Sequence, residues 1–351
     1  MSSDQGKGQS QIENPQRRSF LKYAVAAAAI GGAAVVGGSA YYEYFYLPSQ
    51  KPASVSASYQ PGPFATATLA DIVQQQKFDQ QNKLNLSWQP FNDVTAQLAA
   101  LIKGSTDVFL GNFGNAAASA AAGNPIIGFS CWLVPTNAIV AAENASAQTF
   151  ADLKGQTIGV FSSPSTSMAV GAALLQKQGE SFNPATDVSY AKGPYATLAG
   201  ELQAGKLQYA ELVEPYVTQL VTTGNFRVLA YLSDLGKQLM GRNILIDVWA
   251  ARQDYAKANP SVLKDILKSQ QAAESYIKSN PDVIRNFLIN QSKVTDENVL
   301  SALVPRLVDD VQVAQWDSST MATQQQLLQI FANYGLITQA PTSFLTNAYN
   351  P

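Results

Sequence analysis

Two segments of the chain repeat the same order of elements: a helix, a glycine and a short strand. The first reads LAALIKGSTDVFLGN at residues 98–112, and the second reads LAGELQAGKLQYAELVE at residues 198–214. Around both segments, short apolar strands alternate with helices, which is typical of an α/β sheet. Because 351 residues exceed the size at which a single core keeps growing, the repetition predicts two similarly wound lobes.

The first predicted lobe begins with strands at residues 53–59, 84–91 and 107–112. Asn92 is predicted as the N-cap of a helix that Gly104 ends, because an amide side chain can accept from the first helical N–H groups and glycine tolerates the turn at the end.

The second predicted lobe has strands at residues 157–163, 187–193 and 209–215. Its first helix is predicted at residues 164–178, with Ser163 as N-cap and Pro164 as the first helical residue.

The last third of the chain has one predicted strand followed only by helices, two of which are expected to begin at Asn259-Pro260 and Asn280-Pro281. With no further strands to cover, these helices must pack on an existing lobe.

The chain is therefore expected to build most of lobe one (residues 51–141), then lobe two (142–243), and to return to lobe one (244–351). Crossings between the lobes are predicted at residues 137–144 and 242–251. Two crossings form a hinge, and a hinge between α/β lobes closes a cleft over a ligand.

Residues 1–50 are predicted to be a twin-arginine signal peptide, or an N-terminal anchor, plus a tether. The segment RRSFLK at residues 17–22 precedes an uncharged Ala- and Gly-rich run, and Gly38-Ser39-Ala40 offers a small-residue cleavage site. This pattern predicts export by the Tat machinery to the periplasm or the outer face of the cell membrane. Membrane contact is expected only through such an anchor.

Composition excludes several classes of function. The chain has no histidine and a formal net charge of −2, so His-based nucleophile chemistry, His-ligated metal sites and nucleic-acid binding are not expected. The single cysteine, Cys131, lies in the apolar stretch IIGFSCWLV and is interpreted as a buried small hydrophobe. No cofactor is expected.

Four segments resemble one family of proteins. They are LAALIKGSTDVFLGN, TFADLKGQTIGVF at residues 149–161, Glu214-Pro215-Tyr216, and the helices that begin at Asn259 and Asn280. On these residues the chain resembles solute-binding proteins of ABC importers, of the nitrate, alkanesulfonate and taurine group that includes thiamine-precursor binders. Gln208 departs from the family pattern, since the second copy of the repeat usually carries Asp there.

The resemblance implies an α/β fold of two doubly wound lobes joined by a two-stranded hinge, like type II periplasmic binding proteins, with the C-terminal helices on lobe one. It also implies capture of a small anionic or zwitterionic molecule, of the sulfonate or taurine class, for an ABC permease with its ATPase. A thiamine-precursor-like heterocycle stays open as an alternative ligand.

Candidate ligand-binding residues follow from the rule that ligands of doubly wound sheets lie beyond the carboxyl ends of strands. Two loops there offer Tyr59 with Gln60, and Asn112 with Phe113. The alternative for each pair is an ordinary role in packing or helix capping.

A third loop combines a predicted helix start with several hydroxyls, which is typical of an anion site because backbone N–H groups and the helix dipole favour negative charge there. Its candidate residues are Ser163, Ser165, Thr166 and Ser167. A run of ordinary helix caps is the alternative.

Three further positions are weaker candidates. Glu214 either binds an amine or braces the hinge side of the cleft, and Tyr216 follows it. Asn243, beside Arg242, lies at the second predicted crossing. Trp132 and Trp249 are interpreted as core residues.

Two other functions compete with solute import. An enzyme is disfavoured because related pyrimidine-forming enzymes depend on His and a Cys-rich stretch, both missing here. A sensor that passes ligand binding to a membrane kinase would close its lobes in the same way as a transport protein.

Overall fold

The computed structural model describes residues 52–62, 66–161, 165–311 and 316–351. The predicted export signal, and Ser163 of the predicted anion site, lie outside these ranges.

The first sheet contains β1 (Ala53–Tyr59), β2 (Leu84–Pro90), β3 (Val108–Asn112), β4 (Ile126–Trp132) and β10 (Asp247–Arg252). Their order is β2-β1-β3-β10-β4. β1 is parallel to β2 and β3, whereas β10 is antiparallel to β3 and β4. The helices between these strands are α1 (Thr66–Gln76), α2 (Phe78–Gln81), α3 (Val94–Lys103) and α4 (Phe113–Ala121).

The second sheet contains β5 (Ala138–Ala142), β6 (Thr157–Val160), β7 (Ser189–Lys192), β8 (Tyr209–Leu212) and β9 (Phe226–Tyr231). Their order is β7-β6-β8-β5-β9, with β6 parallel to β7 and β8 and with β5 antiparallel to β8 and β9. Its helices are α5 (Thr166–Lys177), α6 (Tyr195–Gln203), α7 (Tyr216–Val221) and α8 (Leu232–Met240).

The two sheets have the same plan, and in each the antiparallel strand enters directly from the other sheet. β5 follows β4 through residues 133–137, and β10 follows α8 through residues 241–246. Residues 138–142 and 247–251, which the sequence placed within the crossings, are hydrogen-bonded strand residues. The chain therefore passes between the sheets twice within the described residues.

The C-terminal helices pack on the first lobe, as the resemblance implied. They are α9 (Gln253–Ala258), α10 (Pro260–Ser279), α11 (Asp282–Asn290), α12 (Glu297–Asp310) and α13 (Ser318–Asn333). α10 contacts α1, α2 and β2, and α11 contacts α1. In addition, α12 contacts α7 and α13 contacts α5, so these two helices also reach the second lobe.

α10 begins at Pro260 after the N-cap Asn259, as predicted, whereas other helix starts differ from the sequence prediction by one or two residues. Asp93, not Asn92, caps α3, because its carboxylate accepts from the Ala96 N–H at 2.7 Å. The helix predicted to start at Pro164 has Ser165 as its N-cap. Asp, Asn and Ser cap equally well, so adjacent candidates cannot be ranked from sequence.

The sheets are buried between helices. Cys131 is fully buried, as predicted, and burial raises the pKa of its thiol. Trp132 and Trp249 are core residues, also as predicted. Across the described ranges, no helix combines the length and the apolar character needed to cross a membrane.

Candidate ligand-binding site

A cleft of about 600 Å³ lies between the two sheets. Its walls come from three sources: residues that follow parallel strands, the starts of helices, and both chain passages. Residues of the first lobe include Gln60, Asn112 and Asp247, and residues of the second include Ser165, Tyr195 and Glu211. This is the place where doubly wound sheets hold ligands, because strand ends and helix N-termini converge there.

Glu211 lies in β8 on the second-lobe wall and is only 3% exposed. Its Oε1 accepts hydrogen bonds from the Ser167 hydroxyl at 2.7 Å and from the Asn137 amide at 3.1 Å. Its Oε2 has no hydrogen-bond partner among the described residues. Burial raises the pKa of Glu211, and the nearby hydroxyls of Ser165 and Ser167 and the Asn137 amide offset this only in part.

Asp247 is the first residue of β10, on the first-lobe wall, where it lies opposite Asn112 of β3 and Trp132 of β4. It is 6% exposed, and its buried Oδ2 has no hydrogen-bond partner among the described residues. Burial raises the pKa of Asp247 to about 7. Glu211 and Asp247 are therefore two buried carboxyl groups, one on each wall, with hydrogen-bonding capacity left over.

An aromatic pair lies on the second-lobe wall. The rings of Phe161 and Tyr195 stack with centroids 5.2 Å apart and an interplanar angle of 23°. Phe161 is 57% exposed and lines the cleft, so its ring is open to a ligand there. Burial raises the pKa of the Tyr195 phenol, and the charges of Glu211 and, more weakly, Asp247 raise it further.

Glu214 also lines the cleft, but its carboxylate is satisfied by protein groups. It accepts from the Thr218 N–H at 3.0 Å, the Thr218 hydroxyl at 3.1 Å and Arg306 Nη1 at 2.7 Å. Burial raises the pKa of Glu214, and Arg306 is the largest opposing influence. Of the two roles open for Glu214, this geometry favours the brace over the ligand contact.

The lining carries one sign of charge. Its charged side chains are Glu211, Glu214 and Asp247, and no Lys or Arg from the described part of the chain lines it. Within the same ranges, no group of three or more Cys, Asp or Glu side chains is arranged to hold a metal ion.

The structure brings five of the predicted ligand-binding residues to the cleft wall, namely Gln60, Asn112, Ser165, Thr166 and Glu214. Asn112 also caps α4, because its side-chain oxygen accepts from the Asn115 N–H at 3.1 Å. Ser165 caps α5 by accepting from the Met168 N–H at 3.2 Å.

Five other predicted residues lie elsewhere. Phe113 is buried against Phe331 and Phe344 in the core, and Tyr59 packs edge-on against Trp88. Phe113 is apolar and buries more surface in the core than at a cleft wall.

Tyr216 is half-buried beside the second-lobe core, and Asn243 is exposed in the passage before β10. Ser167 is buried behind the wall, where it orients Glu211.

The sequence prediction missed Glu211, Asp247, Phe161 and Tyr195. A signal for the first two was present, since each is a single acidic residue within an apolar stretch of sequence, AEL around Glu211 and ILIDVWAA around Asp247. Acidic residues are seldom fully buried without a partner, so such positions mark candidate sites. Phe161 follows β6 and Tyr195 begins α6, and neither carries a comparable signal.

Solved structures of similar fold include several binding proteins. The periplasmic aliphatic sulphonate binding protein SsuA from Escherichia coli has a TM-score of 0.65 and 22% identity, over 82% of this chain and 90% of that one. The alkanesulfonate-binding protein SsuA from Xanthomonas axonopodis pv. citri, bound to MOPS, has a TM-score of 0.65 and 20% identity, over 84% and 99%.

A conserved Candida albicans protein with the generic periplasmic binding protein fold has a TM-score of 0.57 and 15% identity, over 84% of this chain and 96% of that one. No curated protein sequence gives a match.

At family level, residues 62–284 match the family described as NMT1/THI5 like. That span is more than half of the chain and includes strands of both sheets as well as both passages between them. The chain therefore has the fold of periplasmic binding proteins and belongs to the NMT1/THI5-like family.

Proposed function

We propose that the protein is an extracytoplasmic solute-binding protein that captures a small molecule in the cleft and delivers it to an ABC permease with its ATPase. The observation that carries this proposal is the cleft of about 600 Å³, lined from both lobes and bordered by both chain passages. A ligand that touches both walls favours the closed form over the open one, and this differential affinity drives closure.

Of the two ligand types predicted from the sequence, the cleft favours a zwitterion over a simple anion. The hydroxyls of Ser165 and Thr166 at the start of α5 suit an acidic group, and the SsuA neighbours bind sulfonates. The carboxyl groups of Glu211 and Asp247 suit a positive group. A taurine-like molecule, with one acidic and one amino end, would match both features.

A flat heterocycle is the second candidate ligand. The exposed ring of Phe161, stacked on Tyr195, offers an aromatic surface at the cleft. Aromatic rings pack well against such a surface in an offset or stacked arrangement. A thiamine-precursor-like pyrimidine would have this shape and would offer N–H donors to the neighbouring carboxyl groups.

Binding without turnover is the expected activity, and calorimetry with mass spectrometry tests it. A true ligand should bind with one-to-one stoichiometry, raise the melting temperature by mass action and be recovered unchanged. Chemical conversion of the ligand by the purified protein would favour an enzyme instead. Deletion of the gene should abolish uptake of that ligand, whereas loss of a transcriptional response with normal uptake would favour a sensor.

Export through the Tat machinery is part of the proposal. Replacing Arg17 and Arg18 by Lys removes the paired guanidinium groups but keeps the charge, so the protein should accumulate inside the cell. Normal export of the double variant would contradict the twin-arginine assignment.

A further inference from the structure

We infer that the ligand carries a positively charged nitrogen group held between Glu211 of the second lobe and Asp247 of the first. This inference rests on the proposed function, because it assigns a chemical class to the solute of the same cleft. It adds a positive group to the sulfonate class that the names of the two SsuA neighbours give.

The first support is hydrogen bonding. Glu211 and Asp247 are both more than nine-tenths buried, line the cleft, and each has an oxygen with no hydrogen-bond partner among the described residues. Buried polar atoms in folded proteins are almost always paired, because an unpaired one costs free energy. A ligand with N–H donors would supply the missing partners.

The second support is charge. Glu214 is neutralised by Arg306, whereas neither Glu211 nor Asp247 forms an ion pair with any described residue. A plain anion in the cleft would lie beside both carboxyl groups with no Lys or Arg from the described lining to offset the repulsion. A cation placed there is attracted to both groups, and the rings of Phe161 and Tyr195 add a face that favours positive charge.

The third support is the position of the two groups on opposite lobes. Glu211 belongs to β8 of the second sheet, and Asp247 to β10 of the first. A nitrogen group that contacts both would therefore hold the lobes together. Closure would depend on the positive charge of the ligand and not only on its shape.

The affinity should consequently depend on pH. The Glu211 charge raises the pKa of Tyr190 and Tyr195, and the Asp247 charge raises that of Tyr195 and Cys131. Among the described residues, no cation influences the pKa of Glu211 or Asp247. Burial raises the pKa of Asp247 to about 7, so part of the protein holds this carboxyl protonated near neutral pH. A cation binds the ionised form, so its affinity should rise with pH through that range, whereas an anion should show the opposite slope.

Matched pairs of small molecules test the inference on the full chain. The pairs are taurine with ethanesulfonate, and benzamidine with benzamide. Each pair differs in the presence of a positively charged nitrogen group. We expect thermal shifts and calorimetric binding from the charged-nitrogen members alone. Tighter binding of ethanesulfonate than of taurine would overturn the inference.

A capture experiment identifies a ligand outside these pairs. The full chain is incubated with a small-molecule extract of the cells that produce it, recovered and denatured, and the released compounds are identified by mass spectrometry. An enriched compound with a basic nitrogen supports the inference. An enriched acid without one overturns the inference and leaves the proposed function standing, whereas no enriched compound contradicts the proposed function itself.

Charge-neutral variants of Glu211 and Asp247 test whether these side chains contribute to the affinity for the compound found to bind in the preceding experiments. Glu211→Gln and Asp247→Asn keep size and shape, and each should weaken binding by about tenfold or more and flatten the pH dependence. Glu143→Gln, directly after β5 and exposed, is the matched control and should bind like the parent protein. Unchanged affinity in both cleft variants would overturn the inference.

Discussion

Arg306 of α12 donates a hydrogen bond from Nη1 to the Glu214 carboxylate at 2.7 Å, which links a C-terminal helix to the second lobe. The same guanidinium lies 4.1 Å from the ring centroid of Tyr231, also in the second lobe. Next to it, the Asp310 carbonyl accepts from the Val134 N–H in the first chain passage. Through Arg306 and Asp310, helix α12 therefore contacts both the second lobe and the first chain passage of the hinge.

We expect Arg306→Met to lower the free energy of unfolding by about 2 to 4 kcal/mol, because it leaves the buried Glu214 carboxylate without its cation. Adding Glu214→Gln should recover part of this loss, since Gln is neutral and still bonds to Thr218. Denaturant titration measures both variants.

The matched control for this prediction is Arg285→Met. Arg285 pairs with Glu297 on an exposed surface, where ion pairs contribute little, so the unfolding midpoint should hardly move. Equal losses of unfolding free energy in the two Arg variants would contradict the claim that burial makes the Arg306–Glu214 pair more stabilising than an exposed pair.

Gly171 in α5 should not tolerate a side chain. A Cβ there would overlap the ring of Phe150, which is buried against Phe182. Gly171→Ala should therefore lower the unfolding free energy by about 1 to 3 kcal/mol, and Phe150→Leu should relieve part of it.

Gly200 in α6 provides the opposite case, because nothing lies within 4 Å of a Cβ at that position. Gly200→Ala should stabilise the protein by about 0.5 to 1 kcal/mol through helix propensity. Destabilisation by Gly200→Ala would contradict the open space around α6, and an unchanged stability of Gly171→Ala would contradict the packing described around α5.

Substitution of Phe161 should affect ligand binding, whereas substitution of Phe113 should affect stability. Phe161 is exposed at the cleft, so Phe161→Ala should leave the melting temperature nearly unchanged and weaken binding of the captured compound several-fold. Phe113 is buried between Phe331 and Phe344, so Phe113→Ala should cost about 3 to 5 kcal/mol of stability. A Phe161→Ala variant with full affinity would remove this ring from the site.

The ligand-free protein should lose stability as pH rises from about 5 to about 8. Burial raises the pKa of both Asp247 and Glu274 to about 7 in the folded protein, far above the values of these groups in an unfolded chain. The folded state then binds more protons than the unfolded state, so stability is greatest below the unfolded pKa and falls through the folded one. Each group should contribute on the order of 2 to 4 kcal/mol.

Melting curves at several pH values measure this slope. Asp247→Asn should remove the contribution of Asp247 to the pH dependence, so the stability of this variant should fall less steeply as pH rises. Asp152→Asn is the control, since hydrogen bonds from Thr149 lower the pKa of Asp152 and keep it ionised over the whole range. Stability that rises with pH in the parent protein would contradict the raised pKa values.

The sequence predicted those elements whose pattern is local. The strand predicted at residues 53–59 is β1, and Gly104 ends α3 with a φ of 77°. The repeated helix, glycine and strand predicted two similar sheets because each copy contains its own periodicity and turn residue. β4 and β9 were not predicted. The apolar run of β4 is typical of a buried strand or helix alike, and β9 includes Arg227 and is mostly half-buried, so it lacks the pattern of a core strand.

The site was less predictable for a physical reason. Helix caps such as Ser165 and strand-end residues such as Gln60 follow local rules, and both line the cleft. Whether Glu211 faces a cleft or the protein interior depends on strand pairing over long sequence distances, such as that of β8 with β5. Glu214 was the more conspicuous candidate in sequence, but Arg306, far along the chain, occupies its carboxylate.

The structure of the protein in complex with its captured compound is the most direct test of the central claim, that one solute is held between the two lobes. We expect the compound in the cleft, with a nitrogen within about 3 Å of the Glu211 and Asp247 carboxylates and contacts to both sheets. A compound bound to one lobe alone, or outside the cleft, would contradict the claim.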